Sequence, residues 1–171
     1  MKEPLWIPSA DRISRSNLLQ FISFVKANYD FSGATYSDLY NWSVNNIEVF
    51  WESIWQYSGI IHSQSYKQVL VRKEIYDSQW FTDSKLNFAQ NLLRFNDDHT
   101  AIISHRENYP SIKISYKQLN ELVTRTAFGL KNLGVKKGDR VAAFISNVPE
   151  AVITMLAVTS LGAIWSSTSP D

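Results

Sequence analysis

Residues 134–171, GVKKGDRVAAFISNVPEAVITMLAVTSLGAIWSSTSPD, constrain the fold more than any other stretch. A short apolar run at 141–145 sits between polar turns, as expected of a buried strand covered on both faces. Pro149 suits the first turn of a helix. The body of that helix, AVITMLAV, is apolar nearly all round and must be buried on most sides. Gly162 closes it, and a second strand begins at 163–166. The pattern predicts a β-α-β unit in which the two strands run parallel. Parallel sheets are covered on both faces by helices of successive units, and too few units precede residue 171 to supply that cover. The reading therefore expects the front end of a longer enzyme, with the remaining cover downstream.

Upstream, residues 100–104 (TAIIS) and 111–116 (SIKISY) read as two strands joined by a turn at 107–110. Ser115 and Gln118 form an S-x-x-Q capping box for a helix whose inner face is Leu119, Leu122, Val123, Ala127, Leu130 and Leu133, ending at Gly134. The polar run 96–99, NDDH, marks a boundary. Before it the chain is helical and rich in aromatic residues, 13% over the whole sequence. Ser16 is placed as the cap of a helix carrying Leu18, Leu19, Ile22 and Val25 on one face, broken by Gly33. A second helix is expected after Ser43, with Ile47, Phe50, Trp51, Ile54 and Trp55 as a wide apolar stripe and Gly59 at its end. Trp42, Trp51, Trp55 and Trp80 are all read as packing residues. Residues 67–74 read as a partly exposed strand, and Leu86, Ala89, Leu92 and Leu93 as a short helix. Asn41-Trp42-Ser43 matches a glycosylation acceptor, but Ser43 is better explained as a helix cap. The fold class expected is α/β, an aromatic helical segment followed by strand and helix in alternation.

Several function classes are excluded by composition. Seventeen basic residues against sixteen acidic ones leave no global field for nucleic acid or an anionic membrane. No cysteine is present, so disulfides, cysteine-ligated zinc and a thiol nucleophile are ruled out within these residues; a reducing compartment, the cytoplasm, is expected. The apolar stretch 151–165 is shorter than the roughly 20 residues of a membrane crossing. No glycine pair forms G-x-G or a Walker A loop. His62, His99 and His105 lack metal-ligand spacing, so no metal site is expected. There is no G-x-S-x-G elbow, and Asp97 with Asp98 reads as a solvated turn.

Taken together, LWIPSADR, YSDLYNWSVNNIEVFWESIW, WFTDSKLNFAQNLLR and GVKKGDRVAAFISNVPEAVITMLAVTSLGAIWSSTSPD resemble the amino-terminal portion of the acetoacetate–CoA ligases, a family of adenylate-forming acyl-CoA synthetases. The GVKKGDRV…PEAV…LGA pattern is shared across that superfamily; WSV…FW and WSSTSPD point to the acetoacetate branch. The resemblance implies an N-terminal region over 1–95 and the start of the AMP-binding domain over 96–171. It implies a ligase that uses ATP, Mg2+ and CoA, with acetoacetate as substrate, whose further partner is the remainder of its own chain. The family's phosphate loop ending in Pro-Lys, its aromatic-Thr-Glu motif, its ribose-binding Asp and its mobile-domain Lys have no match here, so no catalytic residue is carried over. By the same resemblance Ser169, Pro170 and Asp171 would lie near CoA, a structural turn being the alternative. Acetyl- or propionyl-CoA synthetases and a non-catalytic binding module are the rival readings.

Overall fold

A computed structural model describes residues 5–72, 74 and 76–170. It divides into two compact units, one of residues 1–60 and 65–84, the other of 61–64 and 85–171.

The described residues of the first unit form four helices and a pair of short antiparallel strands. They are α1 (Ala10–Ser14), α2 (Asn17–Asn28), α3 (Tyr36–Asn45), α4 (Ile47–Ser58), β1 (Leu70–Val71) and β2 (Gln79–Trp80). Ser16 caps α2 by accepting from the Leu19 N–H at 3.3 Å, as the sequence predicts. Helix α2 stops at Tyr29, before Gly33. Gly33 serves close approach instead, because a Cβ there would lie 2.4 Å from the Asp38 Cβ and 2.6 Å from the Phe31 ring.

The sequence reading passed over α3, whose signal is a Thr35–Asp38 capping box. The Thr35 hydroxyl accepts from the Asp38 N–H at 3.2 Å, and the Asp38 carboxylate accepts from the N–H groups of Ala34 and Thr35 at 2.9 Å each. Ser43 lies inside this helix and donates to the Tyr40 carbonyl, so it caps nothing; Asn46 precedes α4. Gly59 ends α4 in the left-handed conformation, φ +56°, as expected.

Phe21, Ile22, Val25 and Leu39 form the core of this unit, with Trp42, Phe50 and Ile54 packed against it. Ser53 is fully buried, small enough for close packing, and donates to the Phe50 carbonyl at 2.6 Å. The four tryptophans do not share one environment. Trp55 is 8% exposed, lies tilted against Phe81 at 4.7 Å and meets Tyr66 edge to face at 5.2 Å. Trp51 and Trp80 are 41% and 43% exposed and meet edge to face at 5.7 Å. The α4 stripe is too wide for one core, and Trp51 falls at its rim. Phe81 has φ +47°, a conformation disfavoured for a bulky residue, and its packing on Trp55 and Tyr66 holds it there. Of the strand expected over 67–74, Leu70 and Val71 form the ladder β1, opposite Trp80 and Gln79, and the backbone hydrogen bonds continue between Val69 and Phe81 and between Thr82 and both Lys67 and Gln68.

The second unit comprises α5 (Phe88–Leu92), β3 (Thr100–Arg106), β4 (Tyr109–Ser115), α6 (Tyr116–Asn132), β5 (Arg140–Phe144), α7 (Pro149–Ser160) and β6 (Ile164–Thr168). Residues 61–64 join it through Asn91, whose side chain accepts from the Ile61 N–H at 2.8 Å and donates to the Ile61 carbonyl at 2.9 Å. Gln64 and Lys85 add an antiparallel bridge. Strands β3 and β4 pair antiparallel, with a register shift beside Pro110, which lacks the N–H a ladder needs. The Ser115–Gln118 capping box forms as predicted and opens α6.

Leu119 and Val123 are buried with Ile114, Ala89, Ile153, Leu156 and Ala157, and Leu122, Ala127 and Leu130 pack against them. Leu133 departs from the expected inner face: it is the C-cap residue, 83% exposed, beyond the last turn that faces the core. Gly134 follows at φ +91°. Strands β5 and β6 run parallel, Arg140 opposite Ile164 through Phe144 opposite Thr168.

Two predictions follow from these local arrangements. Trp55→Ala should lower unfolding stability by about 3–5 kcal/mol through the cavity it opens, and Trp51→Ala by about 1 kcal/mol, read from denaturant midpoints. Second, hydrogen bonds from Thr35 and Ala34 hold the Asp38 carboxyl below its ordinary 3.8. A depressed folded-state value contributes stability that is present above 3.8 and lost as pH falls through the folded value. The gap in denaturant midpoint between the parent and Asp38→Asn should therefore be constant at neutral pH and shrink below pH 3.8.

Candidate functional site

Ligands of open parallel sheets bind outside the carboxyl ends of the strands, and β5-α7-β6 sets up such an edge. The turn before β5 fixes its start. The Lys136 N–H donates to Asp139 Oδ2 at 2.9 Å, the Gly138 N–H to the Gly162 carbonyl at 3.0 Å, and the Ile164 N–H to the Asp139 carbonyl at 2.8 Å. Gly138-Asp139 is thus the turn the sequence suggests. Helix α7 has no side-chain cap; Val148 precedes it and Pro149 is its first residue. Its C-terminal carbonyls, at Thr159 and Ser160, accept from the Asn87 side chain at 3.0 and 3.3 Å. Asn87 also caps α5, accepting from the Gln90 N–H at 3.0 Å.

At the far end the last rung is the Ile145 N–H donating to the Thr168 carbonyl at 3.1 Å. Beyond it the chain turns through Ser146 and Asn147 after β5, and through Ser169 and Pro170 after β6. All four are exposed. Ser169 and Pro170 thus lie at the carboxyl edge, beside a loop that sequence reasoning did not single out; the signal was a polar pair ahead of a helix-starting proline. Asp171 lies outside the described residues. Next to this edge a small cleft of about 120 Å3 is lined by Ile102, Ser104, His105, Asn147, Pro149 and Val152, among others.

Two histidines of this unit have local partners. His105 Nδ1 and Ser111 Oγ are 2.6 Å apart on the exposed hairpin. His99 contacts the Asp97 carboxylate and lies 4.5 Å from the Tyr116 ring, and the Lys117 N–H donates to the Asp97 carbonyl at 2.9 Å. Asp97 is therefore a partner of the chain entering α6. Among the described residues no group of three His, Asp or Glu side chains is arranged to hold a metal ion. In the first unit, burial first and then the hydrogen bond to Glu52 raise the Tyr66 phenol above its ordinary value.

The two faces of the β5–β6 pair differ in burial among the described residues. Val141, Ala143 and Trp165 are half-buried on one side. On the other, Phe144 is 73% and Ile164 51% exposed, with Ala142, Ser166 and Thr168 also exposed. The described residues cover one face of this sheet, not two.

Residues 88–171 match the family model of the AMP-binding enzymes, and residues 36–92 that of the acetyl-coenzyme A synthetase N-terminus. Over these two stretches the chain is similar to the AMP-binding enzymes and to the N-terminus of acetyl-coenzyme A synthetase. Over nearly its whole length it is similar to acetoacetyl-CoA synthetases. The one from Xenopus tropicalis is 40% identical over 171 residues, covering 98% of this chain and 25% of the relative. The solved acetoacetyl-CoA synthetase from Streptomyces lividans superposes with a TM-score of 0.90 at 30% identity, over 99% of this chain and 27% of that one. A malonamoyl-CoA synthetase from Penicillium aethiopicum is 36% identical over 178 residues, covering 99% of this chain and 24% of the relative. The chain spans about a quarter of the length of the relatives it matches.

The exposed sheet face yields a prediction for the 171-residue chain. Phe144→Ser should change its unfolding free energy by no more than about 0.5 kcal/mol, read from denaturant midpoints. A loss above about 2 kcal/mol would show that the ring packs inside.

Proposed function

We propose that these residues form the amino-terminal part of an ATP-dependent ligase that activates acetoacetate and transfers it to CoA. The observation that carries the reading is the superposition on an acetoacetyl-CoA synthetase over 99% of the chain with a TM-score of 0.90. In the reaction the acetoacetate carboxylate attacks the α-phosphorus of ATP, giving acetoacetyl-adenylate and pyrophosphate. The CoA thiolate then attacks the acyl carbon, and AMP leaves. Mg2+ would neutralise phosphate charge in the first step. The described residues offer neither a glycine cradle for phosphates nor a cluster of metal ligands, so ATP and Mg2+ find no fitting site on them and no step is assigned to them.

The role left for this chain is architectural, with one point of contact. The reading divides it at residue 95 into an N-terminal region and the start of the AMP-binding domain, and sets Ser169, Pro170 and Asp171 beside CoA. Support for the contact is the position of Ser169 and Pro170 at the carboxyl edge of two parallel strands. The rest of the enzyme's own polypeptide is the partner expected to cover the Phe144–Ile164 face. No described helix is long and apolar enough to cross a membrane, and the proposed compartment is the cytoplasm.

A second reading keeps the ligase and changes the acid, because the malonamoyl-CoA synthetase matches these residues nearly as well as the acetoacetyl-CoA synthetases do. ATP–pyrophosphate exchange by the whole protein that carries this chain separates the two. Acetoacetate should support exchange with kcat/KM at least about tenfold above acetate or malonamate, a difference of about 1.4 kcal/mol in transition-state binding. Exchange that favours malonamate would transfer the assignment to the second reading. Residues 1–171 alone should show no rise in melting temperature with millimolar ATP.

A further inference from the structure

The first unit contains an apolar cleft that the ligase reading does not use. It lies among the segment leading into α1, the start of α2 and the start of α3, and its volume of about 520 Å3 falls within the range of about 300–1,000 Å3 typical of small-molecule sites. Ile13, Leu18, Leu19 and Ile22 line it, with the Trp6 ring on one side. Trp6, Ile13 and Leu18 are all exposed, so this apolar surface is open to solvent.

Charge identifies the occupant. Among the described residues of the lining, Arg12 is the only charged side chain. Its guanidinium lies over the Trp6 ring, 5.6 Å from the centroid, and it makes no ion pair with any described residue. The two acids closest in sequence to lining residues are already engaged: Asp11 pairs with Arg15 at 2.5 Å, and Asp38 accepts from Ala34 and Thr35. An apolar trough with one uncompensated planar cation fits a ligand with an apolar tail and a single planar anion, because the guanidinium fork matches a carboxylate in a bidentate manner.

We propose that this cleft binds an amphipathic monocarboxylate, its tail among Ile13, Leu18, Leu19 and Ile22 and its carboxylate on Arg12. This goes beyond the proposed ligase chemistry and does not rest on it.

The test uses hexanoate, with 1-hexanol and hexylamine as the uncharged and charge-reversed probes, followed by amide chemical shifts of the 15N-labelled 171-residue chain. Hexanoate should give saturable shifts at Arg12, Ile13, Leu19 and Thr35, binding at least about tenfold more tightly than 1-hexanol. Hexylamine should not saturate. Arg12→Gln should bring hexanoate and 1-hexanol within about twofold of each other. The proposal is overturned if hexanoate does not saturate by about 10 mM, if the shifts map outside the cleft, or if the preference survives in Arg12→Gln. Should that variant fail to fold by circular dichroism, the ratio on the parent chain decides: a hexanoate preference under about threefold overturns the assignment.

Discussion

The second unit depends on the burial of α7. After Glu150 this helix has no charged residue, and on its own in water it would have neither a polar face nor a side-chain cap to sustain it. Ile153, Leu156, Ala157 and Val158 are buried, and Ala157 has no exposed surface. Burying Ile153, Leu156 and Val158 contributes about 1.5–3 kcal/mol each, a sum comparable to the whole net stability of a typical domain. The helix is therefore held by what surrounds it, and it holds the surroundings in turn. Asn87 ties its C-terminal carbonyls to α5. The turn at Gly162 then delivers β6 alongside β5 in a register fixed from Asp139 onward. With the strand starts fixed, the strand ends fall at one edge, and the candidate site follows from packing at the opposite end of the same helix.

Legibility in the sequence tracks how local the determining interaction is. The Ser16 cap, the Ser115–Gln118 box, Gly59, Gly134 and the β5-α7-β6 order each depend on residues within a few positions or on an unbroken apolar run, and each formed as read. The Thr35–Asp38 box is equally local, but the sequence reading starts its helix after Ser43, inside α3. What the sequence could not supply was the partition of wide apolar faces. The pattern 47, 50, 51, 54, 55 marks a stripe, but which of its members reach a core depends on distant elements: Phe81, 26 residues beyond Trp55, takes that ring, and Trp51 is left at the rim with Trp80. Leu133 fails for a related reason, because the helical period continues one residue past the point where the core ends.

At the site the same division holds. That two parallel strands flank one helix was readable from the apolar runs, although the first run reads to 145 and the second only as a start at 163–166, against observed ends at Phe144 and Thr168. The side chains meeting beyond those ends were not, because loop geometry is set by the last rung, Ile145 to Thr168, and not by composition. Ser169 and Pro170 are singled out by the family resemblance alone; Ser146 and Asn147, next to them in space by strand register, carry only a proline two residues later as a cue.

The rigidity of that edge depends on the uncovered face of the strands. A two-stranded sheet is marginal by itself, and here α7 supports one side while Phe144 and Ile164 meet water on the other. Phe144 is the last residue of β5, and its neighbour across the sheet, Thr168, is the last of β6. Whatever covers Phe144 therefore also presses on the residues that precede Ser146 and Ser169. Desolvating that face and fixing the strand-end loops are one event, because both act through the same terminal pair. A site at this edge becomes preorganised only when the second face of the sheet is closed.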